Sequence, residues 1–231
     1  MAYSKRIETL CSLLTTADVF ADVGCDHGYC SEYMLQKGLC QKAILSDISK
    51  GSLAKAEALL ADYIREGKAT SVLGDGFYGV PKDVDEVLIA GMGGSEIVAI
   101  LSDEKYGFIP KRFVFQPMHD GEKLRRYLLA QGAYIERDFT FTDVKFYDVI
   151  VGGNREEKER QQGDMRDYSD AEYEFGRENL EKMPTAFVQK LQKLLKNMQS
   201  YLSNPALQEE SRRELLEKQK RLEGVLSGEI K

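Results

Sequence analysis

Asp22-Val23-Gly24-Cys25-Asp26-His27-Gly28-Tyr29 follows the β-rich run Val19–Val23 and opens a helical pattern over Tyr29–Lys37. Gly24 and Gly28 let the backbone turn sharply at a strand end and let a ligand approach without a Cβ in its way, while the helix N-terminus supplies oriented N–H donors. Glycines in a loop are by themselves only a turn. Their register gives them weight: nineteen residues after Gly28, Asp47 ends a second strand, Ala43–Asp47, where a carboxylate can accept both hydroxyls of a ribose.

Outward from this unit, short β-rich runs keep alternating with helical patterns, the signature of a parallel sheet covered on both faces. Further strands are expected at Thr70–Leu73, Val87–Ala90 and Arg112–Gln116, followed by a hairpin of Tyr134–Phe141 and Lys145–Val151. Helices are expected at Lys5–Leu14, Ser52–Glu66, Ser95–Lys105 and Glu122–Gln131, with Gly38, Gly67, Gly107 and Gly132 placed as C-terminal stops. After Gly152-Gly153-Asn154 no apolar residue occurs until Met165, which reads as a linker. Beyond it, Phe187, Leu191, Leu194, Met198 and Tyr201, then Leu207, Leu215, Leu222 and Leu226, form the apolar stripes of an antiparallel helical hairpin. Asn204 and Pro205 suit the cap and first position of its second helix, and a helix near Ala171–Met183 closes the bundle. The expected division is an α/β domain over 1–154 and an all-α, coiled-coil-like domain over 155–231.

Composition narrows the class. The chain of 231 residues is 42% hydrophobic and 30% charged, which is globular and not disordered. No apolar run approaches the length of about 18 residues that a membrane helix needs, and the N-terminus lacks a secretory pattern, so a cytoplasmic protein without a membrane partner is expected. Cys11, Cys25, Cys30 and Cys40 contain no Cys-x-x-Cys pair and read as free thiols. With only His27 and His119 besides, no metal is expected, and no obligate protein partner is evident.

The loop chemistry separates the adenosine cofactors. A dinucleotide fingerprint has a middle glycine on which pyrophosphate lies, but here Asp26 takes that position and Asp22 precedes the loop. Asp22, Asp26 and Asp47 repel a diphosphate and suit the sulfonium and ammonium of S-adenosylmethionine. Gly74-Asp75-Gly76 ends the third strand with a carboxylate placed for an adenine amino group, and Ala90-Gly91-Met92-Gly93-Gly94 leaves a bare loop where methyl donor and acceptor meet.

These motifs, with Ser46-Asp47-Ile48-Ser49 and Gln116-Pro117-Met118, resemble the bacterial TrmK family of class I, Rossmann-like S-adenosylmethionine methyltransferases, along the whole chain. The resemblance implies a seven-stranded sheet of order 3-2-1-4-5-7-6, a C-terminal helical domain, and methylation of N1 of adenine 22 in tRNA. It carries the cofactor loop onto Asp22, Gly24, Asp26, His27 and Gly28, and the ribose acid onto Asp47, with Ile48 beside it among the cofactor-binding residues. The adenine contact falls on Asp75 and Gly76, and the methyl-facing loop on Gly91, Met92 and Gly93. Cys25 stands where Ser or Thr is expected, a small-for-small change that leaves binding intact. Arg6 is expected to pair with the cofactor carboxylate.

The five prolines, Pro81, Pro110, Pro117, Pro184 and Pro205, never adjoin, so the Pro-Pro-aromatic clamp of many exocyclic-amine methyltransferases is absent. Adenine N1 already carries an in-plane lone pair, and catalysis there rests on positioning and exclusion of water. Tyr29 is expected to stack the captured base, with Asp26 and His27 orienting its edge or moving the N6 proton. His119 reads as an exposed or capping residue. Two other readings stand beside this one: a methyltransferase for another acceptor, and a cofactor-binding module whose hairpin binds protein.

A tRNA substrate sits uneasily with a net charge of -6. Local clusters must bind it, and the sequence offers Lys190, Lys193 and Lys196, Arg212 and Arg213, Lys218, Lys220 and Arg221, and Lys123, Arg125 and Arg126.

Overall fold

The computed structural model of the protein describes residues 3–155, 167–204 and 206–230. Its chain order is α1 (Lys5–Leu13), β1 (Ala17–Val23), α2 (Tyr29–Gln36), β2 (Cys40–Asp47), α3 (Lys50–Leu59), α4 (Ala61–Arg65), β3 (Ala69–Leu73), β4 (Glu86–Ala90) and α5 (Gly94–Leu101). Then follow β5 (Arg112–Gln116), α6 (Gly121–Ala130), β6 (Ala133–Thr142), β7 (Phe146–Asn154), α7 (Asp170–Phe175), α8 (Arg177–Lys182), α9 (Thr185–Leu202) and α10 (Glu209–Ser227).

The strands form one sheet of order β3-β2-β1-β4-β5-β7-β6, as the resemblance implies. β1 to β5 run parallel, whereas β7 pairs antiparallel with both β5 and β6. Successive strand residues feed opposite cores, as the pleat requires. Phe20, Leu88, Val114 and Val149 pack with α1 to α4 on one face. Ala21, Val87, Ile89, Phe113, Phe115 and Ile150 pack with α5 and α6 on the other. The order reverses between β1 and β4, which opens a crevice at their C-terminal ends, where ligands of such sheets bind.

Four local expectations change. The helix expected over Ser52–Glu66 divides at Leu60, which is fully buried together with Ala56 against Gly28. The helix expected near Ala171–Met183 divides at Gly176, whose backbone presses against the Asp138 carboxylate. The last helix begins at Glu209 rather than just after Asn204, whose side chain instead accepts the Ala206 N–H at 3.0 Å. Pro205 and much of the expected linker lie outside the described residues. Gly38, Gly67 and Gly132 have positive φ as expected of stops, but Gly107 does not, because α5 already ends at Leu101.

The C-terminal helices share a third apolar cluster containing Phe175, Phe187, Leu191, Met198, Leu222 and Val225. Ionic contacts fasten them to the hairpin. Arg125 of α6 donates to Asp138 of β6 at 2.7 and 2.8 Å, and its remaining amino group reaches the Tyr173 carbonyl of α7 at 3.0 Å. Lys190 of α9 pairs with Asp148 of β7, which itself accepts the Thr140 hydroxyl at 2.6 Å.

Candidate functional site

The loop after β1 is stitched to β2. The Gly24 and Cys25 N–H groups donate to the Ser46 carbonyl at 2.8 and 3.1 Å. This places the end of β2 beside the loop: Asp47 receives the Ser49 N–H on one oxygen at 2.7 Å and the Asp26 N–H on the other at 3.1 Å. Both carboxylate oxygens are thus oriented by backbone and keep lone pairs for a ligand's hydroxyls. Gly24 has φ of 71°, and a Cβ there would strike the Met92 side chain, which lies across it.

Gly24, Asp47, Ile48, Asp75, Gly76 and Met92 line one cleft of about 920 Å³ at the strand ends. Sequence reasoning had brought these six to a common site. It had missed Glu96, Asp103, Tyr78 and Tyr106, which line the same cleft. Glu96 was detectable in principle, since it stands three residues after Gly93 and accepts its N–H at 2.6 Å, as a helix-capping acid does. The cleft wall carries the carboxylates of Asp47, Asp75, Glu96 and Asp103 and no Lys or Arg among the described residues. An environment of this sign favours a cationic ligand and rejects a pyrophosphate.

The remaining expected residues fall into two groups. Asp22, Cys25 and Gly28 are buried behind the loop. Asp22 accepts the Ser31 hydroxyl at 2.9 Å, and burial pushes its carboxyl up to about 7. Burial and the nearby Asp22 and Asp47 carboxylates push the Cys25 thiol up as well, which disfavours its thiolate.

Arg6, Asp26, His27, Tyr29, Gly91 and Gly93 lie outside the cleft lining. His27 contacts the Asp26 carboxylate through Nδ1 at 2.8 Å and stacks on Tyr29 with centroids 5.3 Å apart and planes at 7°. Tyr3 approaches the same Tyr29 ring at 5.8 Å. A base stacking on Tyr29 therefore shares the ring with His27 or displaces it. Arg6 reaches across from α1: its Nε donates to Gln116 Oε1 at 2.8 Å, its guanidinium lies 5.4 Å from the Tyr147 centroid, and it flanks Gly91. Gln116, fully buried at the end of β5, is an anchor that sequence spacing does not reveal.

Among the described residues no group of three or more His, Cys, Asp or Glu is arranged to hold a metal ion. Nor, among them, is any helix long and apolar enough to cross a membrane.

A Rossmann-like sheet ending in an antiparallel hairpin, with an acid-walled cleft where the strand order reverses, defines the fold of the class I methyltransferases. The family model for TrmK, tRNA (adenine(22)-N(1))-methyltransferase, matches residues 20–224, and the chain belongs to that family. It is 37% identical over 131 residues to a Mycoplasma pneumoniae protein, an alignment covering 54% of this chain and 59% of that relative. It is 30% identical over 151 residues to the tRNA (adenine(22)-N(1))-methyltransferase of Bacillus subtilis, covering 64% of this chain and 63% of the relative. The chain thus spans about three fifths of the length of these relatives. The crystal structure of Streptococcus pneumoniae Sp1610 in complex with S-adenosyl-L-methionine superposes with a TM-score of 0.83 at 24% identity, covering 97% of this chain and 100% of that one, and shares the fold.

Proposed function

We propose that this protein transfers the methyl group of S-adenosylmethionine to N1 of adenine 22 in tRNA. The observation that carries the reading is the all-acidic cleft beside the bare Gly91–Gly94 loop, in a chain of the TrmK family. When bound, S-adenosylmethionine supplies an electrophilic methyl on a cationic sulfonium. Asp47 holds the ribose hydroxyls and Asp75 the adenine amino group, while Ile48 and Gly76 pack on the adenine. Gly24, Met92 and the buried Asp22 surround the charged end, with Gly28 and Cys25 shaping the loop behind it. Arg6, set by Gln116, takes the cofactor carboxylate. On the acceptor side, Asp26, His27 and Tyr29 orient the extruded base, and Gly91 and Gly93 leave room for it.

The tRNA grip falls to fewer cations than the sequence offers. Arg125 is buried against Asp138, Lys190 is paired with Asp148, and Arg126 with Glu122 and Asp170. Arg212 holds the Leu202 and Asn204 carbonyls at the end of α9, and Arg221 lies 3.4 Å from Glu174. Lys196, Arg213, Lys218 and Lys220 are exposed on α9 and α10 and are the phosphate contacts we assign. In this reading residues 1–154 form the catalytic domain, 155–231 assist in holding tRNA, and the enzyme works in the cytoplasm, where its substrate is.

The test is methyl transfer from labelled S-adenosylmethionine to an unmodified tRNA transcript and to one with adenine 22 replaced, each digested to nucleosides. Labelled 1-methyladenosine from the first alone is expected. Cofactor binding without transfer to any RNA would overturn the substrate.

A further inference from the structure

The loop after β5 touches the methyl-facing loop at a residue that neither the motifs nor the cleft assigns. Met118 N–H donates to the Met92 carbonyl at 2.8 Å, and Gly94 N–H donates to the His119 carbonyl at 2.8 Å, so the two loops are joined on both sides of Gly93. The His119 imidazole lies directly on Gly93: a Cβ there would stand 2.8 Å from Nε2 and collide with Cε1. Glycine at 93 is what admits the ring.

The ring is also oriented. Its Nδ1 lies 3.2 Å from Asp120 Oδ2, and that same oxygen accepts the Ser95 hydroxyl at 2.8 Å, with the Lys123 amine 3.7 Å away. Asp120 adopts a left-handed backbone with φ of 56°, which a short polar side chain tolerates. Hydrogen bonds from Ser95 and His119 keep its carboxyl below the usual range, so it accepts only. We assign the proton to Nδ1, the ring nitrogen that faces Asp120, which leaves a lone pair on Nε2 in the neutral ring. The His119 side chain is 66% exposed and lies outside the cofactor cleft, beside the glycine loop where the acceptor must arrive.

We infer that His119 is a base-recognition residue whose Nε2 accepts a hydrogen bond from the N6 amino group of the target adenine. The inference rests on the adenine-N1 reading. N6 adjoins N1 on the Watson–Crick edge, so one hydrogen bond there aims the N1 lone pair. In the step itself the N1 lone pair forms the new N–CH3 bond while the C–S bond breaks, its electron pair remaining on sulfur. The adenine gains the positive charge, which strengthens N6 as a donor to His119. The same acceptor disfavours guanine, which presents a carbonyl oxygen at that position.

The experiment compares transcripts carrying adenosine or purine riboside, which keeps N1 but lacks the amino group, at position 22. Labelled 1-methyladenosine from the adenosine transcript with the wild-type enzyme tests the underlying reading, and its absence overturns both. Given that product, kcat/KM for the two transcripts is measured with wild type, His119→Ala and His119→Gln. The preference for adenosine is expected to shrink by about tenfold in His119→Ala, the worth of one hydrogen bond. His119→Gln, whose amide oxygen restores an acceptor, regains part of it. An equal loss on both transcripts would show a merely structural histidine and overturn the inference alone. S-adenosylhomocysteine affinity, measured in parallel, stays unchanged in both variants.

Discussion

The backbone N–H of Asp26 donates to the carboxylate of Asp47 at 3.1 Å, so the glycine loop after β1 and the acid ending β2 form a single unit. Because Ser49 N–H holds the other oxygen, the carboxylate cannot rotate away from its ligand. On the proposed ribose role, Asp47→Ala removes two charge-assisted hydrogen bonds to the cofactor, and it slackens the loop as well. At about 1.5–3 kcal/mol for each such bond, cofactor affinity is expected to fall by at least about 100-fold. Titration calorimetry with S-adenosylmethionine reads this directly, and unchanged affinity contradicts the ribose assignment.

Asp22, buried behind the glycine loop, gives the first of two expected pH dependences. Its carboxyl titrates near about 4 in an unfolded chain but is raised to about 7 here, chiefly by burial. Between those values the folded chain keeps a proton that the unfolded chain has released, so stability falls as pH rises from about 4 to about 7 and then levels. A cation bound next to Val23 and Gly24 pulls the other way by favouring the ionised form. Affinity for S-adenosylmethionine is therefore expected to rise as pH increases through 7, with less change for S-adenosylhomocysteine, which keeps the ammonium but lacks the sulfonium charge. Asp22→Asn should flatten both profiles; a slope that survives the substitution assigns it elsewhere.

Gly24 is constrained twice, by its φ of 71° and by the Met92 side chain that covers it. Gly24→Ala adds left-handed strain of about 1–2 kcal/mol and drives Met92 out of place. Pairing it with Met92→Ala removes the collision and leaves the strain. Cofactor affinity is expected to be lost in the single variant and partly recovered in the double, as measured by equilibrium dialysis. No recovery would mean that the turn geometry alone accounts for the glycine.

How far the sequence carried this reading depended on the distance between partners. The strands and the Gly24–Asp47 unit were legible from alternation and from glycines and acids at the ends of successive strands, whereas the strand order was implied only by the family resemblance. The division of a helix at Gly176 was not legible, since the close neighbour that leaves no room for a side chain there is Asp138 on β6, far away in sequence. Arg125 read as one more surface cation for the same reason: only the fold brings Asp138 against it. Arg6 was suspected, but Gln116 as its anchor sits at the buried end of β5 and Asp120 as the neighbour of His119 lies in the following turn, and neither pairing leaves a local pattern. Side-chain pairing across the fold leaves no local pattern to find.

Pairing within the fold separates the cations proposed to grip RNA from those that brace the helices. Replacing Lys196, Arg213 and Lys220 by Ala together is expected to weaken tRNA binding and to lower the salt slope by about 2 to 3 phosphate contacts, without changing thermal stability. Lys190→Ala is expected to do the reverse, because Lys190 neutralises Asp148, whose carboxyl it helps hold below the usual range despite burial. Filter binding at several salt concentrations, with melting curves on the same samples, distinguishes them. An unchanged salt slope in the triple variant would place the RNA on another face.

Arg125 and Asp138 bear the largest structural consequence. Both side chains are almost completely buried, at 1% and 2% exposure, and their bidentate contact also positions the end of α7 through the Tyr173 and Glu174 carbonyls. Removing one member strands a charge in the interior, a loss of about 3–5 kcal/mol. Arg125→Met and Asp138→Asn are each expected to lower the melting temperature sharply. The double variant should fall short of the sum of the two, since it leaves no unpaired charge behind. Additive losses in a denaturant series would mean that Arg125 stabilises mainly through the α7 carbonyls rather than through Asp138.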